Sequence, residues 1–308
     1  MTRLHDDELE VDEKLVRRLL GTLSSAYDEL PLRRLEASGS TNALFRLGDD
    51  LLVRVPRQPG GSGTIEKEQR WLPHVAPHLP VPVPEIVEVG EPGFGYPEKW
   101  SLVRYAEGEP PSLPSPDDAP RHDLARDLAA VVTGLRGVDV PDEAQTDPHL
   151  RWYRGEPLAA FDGDMRAWLE MSRSVEGLDL DVDAVTTAWD AGLALPAAHA
   201  RSEPRWYHGD LLAENLLVRG GRLAAVLDFG GLSVGNPAVD LVVAWELLDP
   251  PARSTFRRAV GVEDDEWLVA RGWALALGVM VFPYYWHTMP TRCAQRMFMV
   301  RQVLADAP

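Results

Sequence analysis

The segment that most limits what this chain can fold into is Trp206-Tyr-His-Gly-Asp-Leu-Leu-Ala-Glu-Asn-Leu-Leu-Val218, followed closely by Leu227-Asp-Phe-Gly230. Two apolar runs, Leu216–Val218 and Leu223–Leu227, flank Arg219-Gly-Gly-Arg222. That pattern reads as a β-hairpin with a Gly-Gly turn. A hairpin fixes where its ends lie, so Asn215 and Asp228 are expected side by side at its open end, aimed at one point. Asp210 precedes Asn215 by five residues.

Phosphoryl transfer needs such a set. The transferred group is already electrophilic, so the protein mainly positions reactants and neutralises charge. One carboxylate must orient the acceptor hydroxyl and take its proton, which suits Asp210. Oxygen ligands must hold Mg²⁺ against the phosphates, which suits Asn215 and Asp228. The bland alternative is a polar loop beside an ordinary hairpin, and it leaves order and spacing unexplained. His208 reads as a brace for the loop through hydrogen bonds, and Asp240, in Gly235-Asn-Pro-Ala-Val-Asp240, as a second brace.

Upstream, Leu9 to Leu23 has helical periodicity, with Leu15, Val16, Leu19, Leu20 and Leu23 on one face. Three β-like runs follow, Leu32 to Glu36, Ala43 to Leu47 and Leu51 to Val55, the last two joined by Gly48-Asp-Asp50. Ala37-Ser-Gly-Ser-Thr-Asn42 is small and polar enough to bring backbone N–H groups to phosphates. A helix is expected from Thr64, with Ile65, Leu72 and Val75 inward. Glu68 falls on that inner face and needs a partner, for which Arg54 is the natural choice. Further strands are expected at Glu85 to Val89 and Trp100 to Ala106, with a hinge near Arg104 to Gly108. Helices are expected over Leu124 to Leu135, Leu193 to Ala200, and from Gly235-Asn-Pro237 to Leu248. The tail from Trp267 is helical and apolar, and its aromatics from Phe282 to Trp286 are either core or substrate wall.

Composition closes off several function classes. Acidic residues outnumber basic ones by 48 to 31, which argues against nucleic acid and anionic membranes as partners. Asp139 to Asp190 alone holds 13 acidic and 4 basic residues. The single cysteine, Cys293, rules out an internal disulfide and a cysteine zinc site. The first residues carry no apolar signal core, and Trp273 to Trp286 is too short to span a bilayer. A cytoplasmic protein is expected.

The motif pair resembles the His-x-Asp…Asn and Asp-Phe-Gly elements of the protein-kinase-like superfamily. Ser38-Gly-Ser-Thr-Asn42, Leu52-Val-Arg-Val-Pro56, Glu68 ahead of Trp71-Leu72, Leu79-Pro-Val-Pro-Val-Pro84 and Gly235-Asn-Pro237 extend the likeness to the aminoglycoside phosphotransferase family. The resemblance implies an α+β, bilobal protein-kinase-like fold. A small N-lobe with an antiparallel sheet, residues 1–106, would bind nucleotide. A larger, mainly helical C-lobe, residues 107–308, would carry catalysis and the acceptor. It also implies ATP or GTP as donor, Mg²⁺, and a small hydroxyl acceptor. Ser40, Thr41, Asn42, Arg54, Glu68 and the hinge residues Arg104, Tyr105 and Ala106 would then serve the nucleotide. Arg54 stands where the superfamily has a phosphate-binding Lys, and Arg can fill that role. Leu212 stands where protein kinases carry a Lys that contacts the transferred phosphate. Only Gly231 to Val234 separate Asp228-Phe-Gly230 from Gly235-Asn-Pro237, so no protein substrate is expected. A cationic, aminoglycoside-like acceptor would meet carboxylates, with Glu214 and Glu246 as candidates, whereas a macrolide would need an apolar wall such as Tyr284 and Trp286. Within the kinases the rival acceptors are macrolides and other small alcohol metabolites, and the rival from another class is a pseudokinase that binds without turnover.

Overall fold

The computed structural model describes residues 8–35, 41–115 and 117–306. The chain divides into two compact units. The first comprises Met1–Pro77, Pro82–Gly108 and Ala225–Gly230, and the second His78–Val81, Glu109–Ala224 and Gly231–Pro308. The chain therefore returns to the first unit for the six residues that end in Asp228-Phe-Gly230.

In the first unit, helix α1 (Glu13–Leu20) is shorter than its apolar pattern because Asp12 caps it, accepting the Leu15 N–H at 2.7 Å. Strands β1 (Leu32–Arg34), β2 (Asn42–Leu47) and β3 (Leu51–Pro56) follow, then helix α2 (Gly61–Val75). Strands β4 (Ile86–Gly90) and β5 (Trp100–Arg104) complete an antiparallel sheet in the order β1-β2-β3-β5-β4. The two-residue periodicity is visible in β2, where Ala43, Phe45 and Leu47 are buried and their neighbours are not. These residues join Val16, Leu19, Leu20, Val53, Val55, Trp100 and Leu102 in one apolar core. Strand β3 is buried from Val53 onward, which places Arg54 inside the unit rather than in water.

The second unit is mainly helical. Helices α3 (His122–Arg136), α4 (Asp142–Thr146), α5 (Asp162–Arg173) and α6 (Val182–Leu193) precede strand β6 (Arg205–Tyr207). The helix expected over Leu193 to Ala200 lies one element earlier. Pro196 stops α-helix there and only a 3₁₀ turn, Pro196–Ala198, forms. Strand β7 (Leu216–Arg219) pairs with β8 (Arg222–Val226) through a turn in which Gly220 and Gly221 have φ of 59° and 75°. Two successive left-handed residues are what a tight hairpin turn requires, and glycine supplies them without strain. Strand β9 (Ser233–Gly235) pairs antiparallel with β6. Helices α7 (Val243–Leu247), α8 (Pro250–Val260), α9 (Asp264–Val279), α10 (Phe282–Tyr285) and α11 (Pro290–Ala305) follow. Helix α9 packs on α11, α6 and the 3₁₀ turn Pro237–Val242, and α3 packs on α8. The helical run Asp264–Tyr285 is longer than the apolar stretch suggests and passes for a membrane span by composition, but 72% of its apolar window is buried within the fold. It is a core helix of this unit.

Candidate active site

The loop after β6 is held by its own neighbourhood. Asp240, 1% exposed, accepts the His208 N–H at 2.7 Å on Oδ2 and the Gly209 N–H at 2.8 Å on Oδ1. Burial raises the Asp240 pKa, and nearby His208 and the two N–H groups offset part of that rise. His208, fully buried, accepts the Asp210 N–H on Nδ1 at 3.2 Å. Both residues brace the loop as their sequence positions suggest. Gly209 has φ of 82°, and a Cβ there would lie 2.6 Å from the Trp152 ring and 2.7 Å from the Gly231 carbonyl oxygen. Only glycine fits a backbone pressed this closely on two neighbours.

This frame presents Asp210. Arg154 Nη1 donates to its Oδ1 at 2.5 Å and to the Gly209 carbonyl at 2.8 Å. Asn215 Nδ2 donates to its Oδ2 at 2.9 Å and to its backbone carbonyl at 2.8 Å. Burial pushes the Asp210 pKa up, but the adjoining Arg154 charge and hydrogen bond, helped by Arg296 and His208, bring it below the usual carboxylate value. Asp210 is ionised at neutral pH and its orientation is fixed from two sides. Because the Asn215 amide nitrogen is turned onto Asp210, its oxygen Oδ1 is the atom left to act as a ligand.

Glu214 and Glu246 do not sit as an acceptor cradle would need. Glu246 is 0% exposed; Arg296 Nη1 binds its Oε1 and the Ala213 N–H binds its Oε2 at 2.7 Å. Glu214 is clamped by Arg292 at 2.8 Å and Arg296 at 3.0 Å. Four oxygens are thus occupied by protein donors, and both glutamates brace the loop instead. Among the aromatics, Phe282 is core, whereas Tyr284 is 56% exposed and Trp286 half-buried against Phe282.

In the first unit, Arg54 and Glu68 form the expected pair, with both guanidinium nitrogens bonded at 2.9 and 3.1 Å and Glu68 fully buried. Burial lowers the Arg54 pKa, but Glu68 and Asp228 more than restore it, so the cation is secure. Asp228 adopts φ of 53°, a left-handed conformation that Asp tolerates better than most residues, and accepts the Gly230 N–H at 3.2 Å on Oδ1. Lys67 donates to the Gly230 carbonyl, tying α2 to the same turn. Thr41 and Asn42 sit at the start of β2, with the Thr41 carbonyl accepting the Arg57 N–H at 2.8 Å; Ser40 lies outside the described residues. At the hinge, the Arg104 and Tyr105 N–H groups are already donated to Glu85 and Asp50 carbonyls, at 2.9 and 2.8 Å. Among the described residues, the Ala106 N–H meets no backbone carbonyl in this way. If the Arg54–Glu68 pair serves a phosphate, Glu68→Ala should raise KM for ATP roughly tenfold, because a charge-assisted hydrogen bond is worth about that factor. Arg54→Lys should keep part of the activity, and steady-state kinetics of both variants check this. Unchanged KM in Glu68→Ala would show that the pair is structural only.

The donor atoms suit a hard cation. Asp228 offers carboxylate oxygens and Asn215 an amide oxygen, and Mg²⁺ prefers oxygen. Among the described residues no group of three or more His, Cys, Asp or Glu side chains could hold a metal ion by itself. Three residues of these surroundings escaped sequence reasoning: Arg154, Arg296 and Lys67. For Arg154 there was a signal, an Arg directly after Trp152-Tyr153 in a segment otherwise dominated by acids.

A model of the phosphotransferase enzyme family matches residues 32–273. No curated protein sequence matches the chain. Among solved structures, the GDP complex of aminoglycoside 2'-phosphotransferase-IIIa superposes with a TM-score of 0.69 at 18% identity, covering 96% of this chain and 99% of that one. The macrolide 2'-phosphotransferase MphH from Brachybacterium faecium gives 0.60 at 23% identity, with 96% and 99% covered. At such identities these likenesses establish the fold: an antiparallel sheet in the N-terminal part and a mainly helical C-terminal part, as in the kinase-like fold of the aminoglycoside phosphotransferases. The family model covers well over half of the sequence, and the chain belongs to the phosphotransferase enzyme family.

Proposed function

We propose that this protein is a small-molecule kinase that transfers the γ-phosphate of ATP or GTP to a hydroxyl group. The observation that carries this reading is the Asp210 carboxylate, ionised and pinned through both oxygens in a braced loop. Such a group orients an incoming hydroxyl and accepts its proton as the new P–O bond forms. Arg54, held by Glu68, meets a phosphate, and Thr41 and Asn42 at the start of β2, with the Ala106 N–H, contribute polar groups to the nucleotide. Asp228 and Asn215 would hold Mg²⁺, whose chemistry is to neutralise charge on the phosphates. The same reading places the protein in the cytoplasm, with its nucleotide.

An aminoglycoside-like acceptor is the first to test, and antibiotic resistance the physiological role that would follow. Because Glu214 and Glu246 are neutralised by arginines, support for a cation now comes from the acidic stretch 139–190, where Asp164 and Glu176 are exposed, while Glu170 and Asp183 share Arg173. A macrolide is the second reading, favoured by exposed Tyr284 lying beside exposed Met171, with Oη 4.0 Å from Sδ.

Coupled ADP release with kanamycin, gentamicin, streptomycin and a macrolide distinguishes these. Turnover with at least one acceptor, abolished by EDTA, is expected. A cationic acceptor should lose affinity as salt shortens the Debye length to about 8 Å at 0.15 M, whereas apolar recognition should not. Nucleotide binding without turnover of any acceptor would instead favour a non-catalytic binding module.

A further inference from the structure

The turn Tyr153–Gly155 lies 56 residues before Asp210 in sequence, yet it is built into the frame of the catalytic loop. A Cβ on Gly155 would lie 2.5 Å from the Tyr207 hydroxyl, so this turn rests directly on β6. The Gly155 carbonyl accepts the Asn236 N–H at 3.1 Å, just after β9. The turn is therefore fastened to the strand that enters the loop and to the one that follows it. The Arg154 guanidinium projects from this anchored base. It lies 4.3 Å from the Trp152 ring centroid and 5.5 Å from that of Tyr153, and its Nε donates to the Tyr153 hydroxyl at 3.1 Å. Two rings within cation–π reach and a bond at Nε leave little freedom to the side chain.

Resting on the reading of Asp210 as the catalytic carboxylate, we propose that Arg154 is its positioning residue, fixing the plane of the carboxylate toward the acceptor hydroxyl. A carboxylate attached through a single sp³–sp² bond has a broad torsional well and turns easily. Asn215 alone would hold Oδ2 and leave the plane free to swing about that contact. Arg154 on Oδ1 supplies the second point, and an ionised carboxylate still has acceptor sites to spare on each oxygen. Among the described residues no other cation is bonded to Asp210. Arg296 is committed to Glu246 and Glu214, and the residue two positions after Asp210 is Leu212, buried and apolar. A purely structural pair would be indifferent to which side chain supplies the fork, and would act on stability rather than on turnover.

The test is a double-mutant cycle on the full chain, with ADP release read with kanamycin, with a macrolide and with water alone as acceptor. Arg154→Ala should lower kcat by about 10²-fold, the scale of a misoriented reacting group, with KM for ATP unchanged. Arg154→Lys should recover part of the loss, because the charge returns without the planar fork. In an Asp210→Asn background the further loss from Arg154→Ala should vanish, since Arg154 acts only through that carboxylate. Full turnover in Arg154→Ala while Asp210→Asn is impaired would overturn the assignment, as would an equal further loss in the double variant. Unimpaired turnover in Asp210→Asn would instead remove the Asp210 reading itself. If Arg154→Ala does not fold, Arg154→Lys and Arg154→Gln carry the same comparison.

Discussion

Asp210→Asn is expected to lower kcat by about 10²–10⁴-fold, the usual range for a general base, while nucleotide affinity stays nearly unchanged. The substitution is nearly isosteric, but it replaces one oxygen with an amide nitrogen. Arg154 donates to one carboxylate oxygen and Asn215 to the other, so the new nitrogen must face a donor on one side or the other. The variant therefore loses both the basicity and the orientation of the group. Nucleotide affinity should survive because Arg54 and Glu68 belong to the first unit and are bonded to each other. Turnover assays combined with calorimetry of ADP binding check both halves. Near-wild-type turnover rejects the assignment, and a collapse of nucleotide affinity would mean that the residue serves a different role.

The largest effect on stability is expected from Arg296→Ala. Arg296 is 3% exposed and, among the described residues, is the only cation bonded to Glu246, which is fully buried. Burial works against its charge, and Glu246 and Glu214 overcome that cost and hold it protonated. Removing one partner of a buried pair costs about 3–5 kcal/mol, because an uncompensated charge is left inside. That is a large fraction of a typical folding free energy of about 5–15 kcal/mol. The prediction is a marked fall in thermal midpoint or loss of soluble protein. The double variant Arg296→Met with Glu246→Gln should recover most of it, since the Gln amide oxygen can still accept the Ala213 N–H and Arg292 still holds Glu214. A double variant as unstable as Arg296→Ala would place the cost in packing rather than in charge.

The sequence was most informative where periodicity and local chemistry agree. The alternation in β2, the Gly220-Gly221 turn and the inward Glu68 each follow from a short stretch read alone, and each is present in the structure. The helix around Leu193 was misplaced because apolar residues continue past the helix end and only Pro196 marks where it stops. The electrostatic surroundings of Asp210 were least legible. Glu214 and Glu246 look like free carboxylates in sequence because their partners, Arg292 and Arg296, lie 50 to 82 residues further on. A charge count cannot distinguish a surface acid from one half of a buried pair, and Arg154 was hidden in the same way. Composition therefore argued for a cationic acceptor more strongly than the folded loop does.

The Glu214–Arg296–Glu246 cluster also bears on how the enzyme is made. During synthesis the Asp210 loop emerges well before α11, and for that interval Glu246 lacks the Arg296 cation that accompanies it into the interior. A buried carboxylate without a counter-charge is strongly disfavoured and takes up a proton instead, so the loop reaches its final, charge-paired geometry only once α11 has been translated and has docked. Ribosome-bound chains halted before Arg292 should therefore hold a folded first unit while remaining inert as kinases. On this view competence for phosphoryl transfer is acquired late, as an event of chain completion.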